Sequence, residues 1–436
     1  MNVFLLMLHL SAQPVAAEVV QLSPDDAVAL ALAENVEHKA LLIRASEEQV
    51  RASKWIQLEN PELRLGDFRS DRLINPLIDG SGWDNPLEDT RFGLRWKPPP
   101  LRWLGAEQKA RNFRSKRFQA DVLDGEQLLE KRVRILHAEL QNLKRRVALA
   151  DDAVKLASRV RNMIQRRIKA NAATRLDEAL SNLDYLDEVA DRERLESRYR
   201  SQLSSLREML ALPLSTNISL VSPRQSMCGP VIVEDHMLQD VSDVHPRVSA
   251  LDASIREVDA NLFSTYLAFS PWFDFFQLAY VPGGRNDPAS LRFRLSVALP
   301  LFDQERDKAA MLRARRHRLV AVRNATQHGI RSKLHQSLEE LHSQVEMMRI
   351  YEENAANVLA TSEAILELAL AGKNGDLLEV ALVKNRVLRA RRGEMRVFLA
   401  CEKAAIEVQV LSGEVTKAAL PPPWNRKPTG EDAGAK

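Results

Sequence analysis

The period of the apolar residues changes along the chain, and the change separates predicted strands from predicted helices. The segment LRFRLSVALPLF at Leu291–Phe302 alternates apolar and polar residues, which is typical of an extended strand with one face of each kind. Its apolar face would carry Leu291, Phe293, Leu295, Val297 and Leu299, and its polar face Arg292, Arg294 and Ser296. A strand of a soluble sheet packed on a helix shows the same alternation, so the surroundings of the apolar face stay open at this point.

Two long segments without proline predict long helices. Proline is absent from Leu101–Leu212 and from Leu301–Leu420, which are rich in Leu, Ala, Arg and Glu, a composition that favours uninterrupted helix. The sequences KANAATRL at Lys169–Leu176 and AGKNGDLL at Ala371–Leu378 interrupt these segments, and we expect them to be the tips of two helical hairpins. In the first hairpin, the basic outgoing segment and the acidic returning segment favour antiparallel pairing.

The returning segment of the first hairpin carries an apolar stripe. Its members recur every three or four residues in two runs separated by an interval of twelve, which predicts a coiled-coil seam or the core of a bundle. They are Leu176, Leu180, Leu183, Leu195, Tyr199, Leu203, Leu206 and Leu210.

The chain contains two copies of one plan. A shift of 201 residues places RFGLRWKPP at Arg91–Pro99 on RFRLSVALP at Arg292–Pro300, and it continues without a gap along the helical hairpins. Upstream the shift becomes 210, so the first copy holds nine extra residues between Pro61 and Arg91, which predicts a loop there. Each copy is expected to contain a helix, a strand hairpin and a helical hairpin.

The repeat sets the expected boundaries. The first copy spans residues 18–222, with a strand hairpin at 61–97 and a helical hairpin at 105–212. Its first helix should begin with Ser23 as N-cap and Pro24 at the first helical position. The second copy spans residues 243–413, with a strand hairpin at 272–301 and a helical hairpin at 305–412. Residues 223–242 form a linker between the copies, and residues 414–436 are expected to be a disordered C-terminal tail.

The first 17 residues predict a secretory signal peptide. The sequence MNVFLLMLHLSAQPVAAEVV has an apolar run at Val3–Leu10 and small residues up to Ala17, where cleavage is expected, although no Lys or Arg precedes the run. A short buried helix is the alternative. No other uncharged apolar run reaches the roughly 18 residues of a transmembrane helix. An exported chain of this kind enters a bilayer only within a closed β-barrel, so several copies would each have to supply two strand hairpins.

Composition and motifs exclude several function classes. The 62 basic and 59 acidic residues leave a net charge of only +3, which gives no support to nucleic-acid binding. Cys228 and Cys401 are far apart in sequence and are expected to be unpaired. The sequence has no GxSxG, HExxH, Walker loop or CxxC motif. We therefore expect no catalytic residues, no metal site and no cofactor, and a protein that is not an enzyme.

Several segments, in order and in duplicate, resemble the TolC-like outer membrane efflux proteins of Gram-negative bacteria, the outer membrane factors of tripartite efflux and type I secretion systems. They are LSPDDAVALALAENVEHKAL with its echo VHPRVSAL, ENPELRL, LSVALPLFD, NAATRLDEA, and AGKNGDLLEVALVKNRVLRAR followed by LSG. The chain departs from the family pattern at Val36, where proline is usual, at Leu382, where an acidic residue is usual, and at Asn171, where glycine is common.

The resemblance implies a mainly α fold with membrane β structure. Long antiparallel coiled-coil hairpins and four strands per protomer would form a homotrimer, with a twelve-strand β-barrel in the outer membrane and an α-helical tunnel in the periplasm. Such a duct passively conducts substrates, and it docks with a periplasmic adaptor (a membrane fusion protein) and an inner-membrane transporter. The alternative is a periplasmic coiled-coil adaptor or scaffold that does not enter the bilayer.

The candidate site residues lie in three groups. Charged residues near the two tips would form rings in a trimer and close a periplasmic gate, although acids are favourable at any helix N-terminus. The gate candidates are Arg175, Asp177, Glu178, Lys373, Asp376 and Glu379. The adaptor-docking candidates are Asn171, Ala172, Ala173, Gly372, Asn374 and Gly375. The candidates for the barrel lumen are Arg91, Arg95, Arg292 and Arg294.

Overall fold

A computed structural model describes most of the chain. The described residues are 19–54, 56, 60–66, 91–98, 101–221, 241–268, 272–281, 288–298, 304–371 and 377–412. The main helices are α1 (Pro24–Glu34), α2 (Val36–Ser53), α3 (Leu101–Lys169), α4 (Arg175–Met209), α5 (Pro246–Ala268), α6 (Gln304–Ile350), α7 (Ala356–Ala371) and α8 (Leu377–Ser412). A π-helical turn, Tyr351–Ala355, separates α6 from α7. The strands are β1 (Val19–Leu22), β2 (Glu62–Gly66), β3 (Arg91–Trp96), β4 (Asn217–Leu220), β5 (Trp272–Val281) and β6 (Ser290–Ala298).

The chain divides into two compact units. The first, which we call the helical unit, comprises Met1–Ile43, Val122–His245 and Gln327–Lys436. The second, the sheet unit, comprises Arg44–Asp121 and Pro246–Thr326. Each unit takes segments from both sequence copies, so the units do not coincide with the repeats.

In the helical unit, α3 and α4 run antiparallel, as their opposite charges predict. The Arg192 Nε donates to Asp151 Oδ1 at 2.6 Å, and the Gln202 Nε2 donates to Glu139 Oε2 at 3.0 Å. The residue number on α4 rises as the number on α3 falls, which is the mark of antiparallel helices. The hairpin predicted from the proline-free segment is therefore present.

Small apolar clusters form the core of the helical unit. One joins β1, α1, α3 and α4 and contains Leu22, Ala27, Val28, Ala31, Val133, Leu140, Leu206 and Leu210. A second joins α6 and α8 through Leu334, Leu338, Leu341, Cys401, Ala404, Ala405 and Val408. A third joins α3, α7 and α8 through Leu156, Val160, Ile164, Leu366 and Val380. The helices thus pack on one another by amphipathic faces, as expected for long hairpins.

Two features of the helical unit differ from the sequence-based expectation. The strands β1 and β4 pair in parallel, with Val19 opposite Asn217 and Leu22 opposite Leu220, and this pair adds to the four strands that alternation predicted. Cys401 is buried and disulfide-bonded, so the expectation of an unpaired thiol is wrong. The other cysteine of the chain, Cys228, lies outside the described residues.

The sheet unit contains one four-stranded antiparallel sheet in the order β2-β3-β5-β6. Each predicted strand hairpin forms one half of it, and β3 pairs with β5 to join the halves. An irregularity between Phe273 and Phe275 changes the register of β5 against β6. In the described chain, β2 and β6 each pair with a single strand, so the sheet is open at both edges.

Candidate functional site

The first hairpin tip is a tight reversal built by local hydrogen bonds. Asn171 has a φ of 56°, a left-handed conformation that asparagine adopts more readily than most residues. The Asn171 amide donates to the Ile168 carbonyl at 2.9 Å, and the Ala172 amide donates to the Arg167 carbonyl at 2.8 Å. These bonds satisfy the last carbonyls of α3. Asn171 therefore adopts the backbone conformation for which glycine, the common residue of TolC-like proteins at this position, is suited.

A capping box begins α4 directly after the reversal. The Thr174 amide and hydroxyl donate to Asp177 Oδ2 at 2.8 and 2.7 Å, and the Asp177 amide donates to the Thr174 Oγ1 at 3.2 Å. These hydrogen bonds to the carboxylate lower the pKa of Asp177, because they favour its charged form. Asp177 is thus held as an anion at the positive end of a helix.

The other predicted residues of this tip stand at the surface of the single chain. Arg175, Asn171 and Ala172 are exposed, whereas Glu178 and Ala173 are half-buried. The predicted residues of the second tip, Gly372, Lys373, Asn374, Gly375 and Asp376, lie outside the described residues. Glu379 lies in the first turn of α8, and only its backbone is described.

Polar residues form a row across one face of the sheet. Glu62 is opposite Arg95, Arg95 is opposite Gln277, and Gln277 is opposite Arg294. Directly opposed residues of antiparallel strands share a face, so this row crosses all four strands. The Arg95 guanidinium lies 3.9 Å from the centroid of the Phe275 ring, a cation–π contact that fixes the arginine on this face.

The candidates for the barrel lumen fall on the same face as far as they are described. Arg292 is opposite Ala279, which is opposite Gly93, two residues along each strand from the polar row. Residues two apart on a strand point to the same side. Only the backbone of Arg91 is described, and it pairs with Gly66.

The other face of the sheet is apolar and exposed. The row Leu63, Leu94, Leu278 and Phe293 crosses all four strands. Phe92, Tyr280, Leu291 and Leu295 extend this face, and all eight of these side chains are exposed, with Leu291 at 68%. On the polar face, Gln277 and Ala279 of the inner strand β5 are buried, whereas Glu62, Arg292 and Arg294 are exposed. A soluble sheet usually has its apolar face covered, whereas the apolar face of this sheet is exposed across all four strands.

An ionic network that sequence reasoning missed connects α4 to α8 in the helical unit. Lys384 on α8 is 1% exposed, and its Nζ lies 2.6 Å from Asp184 Oδ2 and 3.4 Å from Glu188 Oε1 on α4. The Arg392 Nη2 continues the network to Glu188 at 2.9 Å and to Asp191 at 3.4 Å. The direct bonds join residues 200 and 204 apart, close to the repeat shift of 201. The two bonds thus join nearly equivalent positions of the two sequence copies, which the repeat shift relates.

Part of the predicted apolar stripe on α4 has no cover in the single chain. Leu195, Leu206 and Leu210 are buried as expected, but Leu176, Leu180 and Leu183 are more than half exposed, as is the nearby Leu186. A further exposed apolar series follows α7 at Val358, Ile365 and Leu368. Exposed apolar series at helical spacing mark surfaces for association.

None of the described helices contains an 18-residue window apolar enough to cross a membrane.

Solved structures with the same architecture decide the fold. The outer membrane protein VceC of Vibrio cholerae is 11% identical and superposes with a TM-score of 0.70 over 89% of this chain and 96% of that chain. The CmeC outer membrane channel of Campylobacter jejuni is 12% identical, with a TM-score of 0.69 over 89% of this chain and 85% of that chain. The chain has the fold of these outer membrane proteins.

The open state of the Neisseria gonorrhoeae MtrE outer membrane channel shows the same fold, at 12% identity and a TM-score of 0.65 over 89% of this chain and 88% of that chain. No protein-family model and no curated protein matches the sequence. The fold expected from the sequence resemblance, with long helical hairpins and paired strand hairpins, is confirmed by the structural similarity.

Proposed function

We propose that the chain is one protomer of an outer membrane exit duct, which passively conducts substrates from the periplasm and an inner-membrane pump to the exterior. The observation that carries the proposal is the sheet whose apolar face is exposed across all four strands, with arginine residues on the opposite, polar face. Hydrocarbon is a favourable surrounding for Leu94, Leu278 and Phe293, and a water-filled lumen is favourable for Arg95 and Arg294. The likeness in fold to the CmeC and MtrE outer membrane channels supports the same function.

The open edges of the sheet support assembly. Within the bilayer every backbone N–H and C=O group needs a partner, so a sheet with two free edges is unstable there. Pairing of β6 from one copy with β2 from the next would remove both edges. Three copies with four strands each would close a twelve-strand barrel, and the resulting homotrimer would lie in the outer membrane of a Gram-negative bacterium with its helices in the periplasm.

The helical hairpins would provide the gate and the docking surface. In a trimer, each carboxylate of Asp177 and Glu178 becomes a ring of three charges, a field that favours cations. The reversal at Asn171–Ala173, where Asn171 and Ala172 are exposed, would dock with a periplasmic adaptor, which would connect the duct to an inner-membrane transporter. The duct itself would perform no catalysis.

Single-channel recording in a planar lipid bilayer tests the proposal. Full-length protein purified in detergent is expected to insert and to give small, cation-selective conductances. A folded preparation, shown by its helical circular dichroism spectrum, that never forms channels would contradict the proposal. That result would favour the periplasmic scaffold, for which the apolar face of the sheet would need a protein partner.

Variants at the first tip test whether the acidic charges control ion selectivity. They separate the effect of these charges from that of the hydrogen bonds of the helix cap. Asp177→Asn removes the charge but keeps an oxygen that accepts from Thr174, and Glu178→Gln removes a charge that the cap does not use. Both are expected to lower cation selectivity. Thr174→Val is the matched control, because it removes the hydroxyl of the cap and leaves both charges in place. Equal selectivity in the wild type and in both charge variants would exclude these acids from the gate.

A further inference from the structure

A cavity of about 320 Å³ lies between α3 and α8 in the helical unit. Its wall consists of Arg146 from α3 and of Asn385, Leu388, Arg389, Arg392 and Arg396 from α8. The α8 residues are spaced by three, four, seven and eleven positions from Asn385, so they share one face of the helix. Four guanidinium groups from two helices therefore converge on one concave surface, which we call the arginine cavity.

Contacts beside the arginine cavity hold its two walls together. The Asn142 Nδ2 donates to the Met395 carbonyl at 2.6 Å, which ties α3 to the backbone of α8. The Arg145 guanidinium lies 4.9 Å from the centroid of the Phe398 ring. Both contacts lie in the turn of α3 directly before Arg146, so they fix the position of this turn against α8.

The positive charges of the arginine cavity are only partly balanced. Arg392 pairs with Glu188 and Asp191. Arg146, Arg389 and Arg396 make no hydrogen bond or ion pair with any residue that the structure describes. Arg389 and Arg396 are exposed and Arg146 is half-buried, so the N–H donors of three guanidinium groups at this cavity are available to an anion.

The electrostatics at Arg146 also favour an anion in the arginine cavity. Burial lowers the pKa of its guanidinium, and the positive charges of Arg198, Arg392 and Arg396 lower it further, against the opposite effect of Asp191. Arginine nevertheless stays protonated in proteins. The surroundings of Arg146 thus disfavour a charge that it cannot lose, and a bound anion would relieve this.

We propose that the arginine cavity binds a phosphate group, either as inorganic phosphate or on a small phosphorylated solute. Guanidinium forks match the oxygens of a phosphate and bind them in bidentate fashion. The carboxamide of Asn385 adds a donor, and Leu388 offers an apolar contact for the remainder of a solute. The site lies within the helical unit of one chain, so it goes beyond the proposed function and does not depend on it.

Isothermal titration calorimetry with inorganic phosphate tests the site on the full-length protein in detergent, at one fixed ionic strength. One phosphate is expected to bind per protomer. Arg146→Gln and Arg396→Gln are each expected to weaken binding by about tenfold to a hundredfold, since each removes a charge-assisted hydrogen-bonding partner. Arg146→Lys, which keeps the charge but not the fork, should weaken it by a smaller factor.

Arg386→Gln is the matched control. Arg386 lies on the same helix and is exposed, but it does not line the arginine cavity. Its loss removes the same charge from α8 and should change the affinity by less than about threefold, as expected for a screened surface charge. If it weakens binding as much as Arg146→Gln does, the attraction is general and the proposal is wrong.

Two further outcomes would overturn the proposal. The first is the absence of binding to wild-type protein that still forms channels, a result that leaves the proposed function intact. The second is an oligomer that loosens in Arg146→Gln without any phosphate binding to the wild type, which would show that carboxylates of a second copy fill the cavity. A parallel titration with glycerol phosphate identifies the source of the phosphate group. Tighter binding than inorganic phosphate supports a phosphorylated solute, and equal binding supports the free ion.

Discussion

Single residues at the hairpin tip show what sequence spacing can and cannot predict. The pattern that suggested a gate acid at Asp177 is also the pattern of a capping box, with Thr174 three residues before an acid. The structure shows that the cap is made. The carboxylate keeps its charge while it serves the cap, so the gate prediction stands as a prediction and needs variants that separate the two roles. Sequence alone could not separate them, because both require an acid in the first turn.

Buried histidine predicts how the stability of the helical unit depends on pH. His137 is 1% exposed, and its Nε2 lies 3.1 Å from the Leu22 carbonyl oxygen. Burial is the main cause of its lowered pKa; Arg134 adds to this effect, and the Leu22 carbonyl and Asp25 oppose it. The unfolded chain therefore binds a proton more readily than the folded one. The contribution of neutral His137 to the stability of the folded chain is complete above a pH of about 6.5. It is lost as the pH falls toward the lowered pKa, by at most about 1.4 kcal/mol per pH unit.

The measurement is the free energy of unfolding in guanidinium chloride between pH 7.5 and about pH 5, in wild type and in His137→Gln. The glutamine side chain can still donate to the Leu22 carbonyl but does not titrate. We expect the decrease in stability over this range to be smaller in the variant. The same decrease in both proteins would show that other groups control the pH dependence.

At the scale of elements, the sequence predicted the pairing within the first helical hairpin but missed the contact between the hairpins. Opposite net charges indicate that α3 and α4 attract each other. No local pattern indicates which further helix lies on the other side of α4. The residues that connect α4 to α8 are ordinary charged residues of two helices, and Lys384 becomes distinctive only because packing buries it. Long-range neighbours of this kind depend on the whole fold.

Removal of Lys384 is expected to destabilise the packing of α4 on α8. In Lys384→Met, Asp184 and Glu188 lose a buried partner, which we expect to cost about 2–4 kcal/mol of unfolding free energy. The value lies near the lower end for buried pairs because Glu188 keeps Arg392 and the Asp184 side chain is 34% exposed. The measurement is the denaturant midpoint of the helical signal. Lys155→Met is the control, because Lys155 and its partner Asp152 are both 71% exposed and such a pair contributes at most about 1 kcal/mol.

A double-mutant cycle separates the ionic contribution from the loss of packing at Lys384. Asp184→Asn in the Lys384→Met background should cost less than the same change in wild type, since the lysine that attracts the carboxylate is already absent. Equal costs in both backgrounds would mean that the pair contributes no coupling energy. The methylenes of Lys384 would then account for the whole effect.

For the whole molecule, strands and helices could be predicted more fully than their long-range arrangement. The alternation at Leu291–Phe302 and its copy located both strand hairpins, because period and breaker residues are local properties. The parallel pair of β1 and β4 was missed, since each strand has only four residues and their pairing depends on contacts distant in sequence. The disulfide at Cys401 was missed for the same reason, because geometry and not spacing decides which cysteines pair.

The exposed part of the apolar stripe on α4 predicts an interface between protomers. Leu180 and Leu183 are 57% and 58% exposed in the single chain, and burial of each in a neighbouring copy would contribute up to about 1.5–3 kcal/mol. In Leu180→Lys combined with Leu183→Lys, a charge replaces each leucine, so the homotrimer proposed above should dissociate at a lower temperature. Gel electrophoresis of unboiled and stepwise heated samples measures this temperature. Leu214→Lys is the control, because Leu214 is 78% exposed but lies after α4, outside the stripe. If the double variant dissociates at the same temperature as the wild type and this control, the stripe does not form the protomer interface.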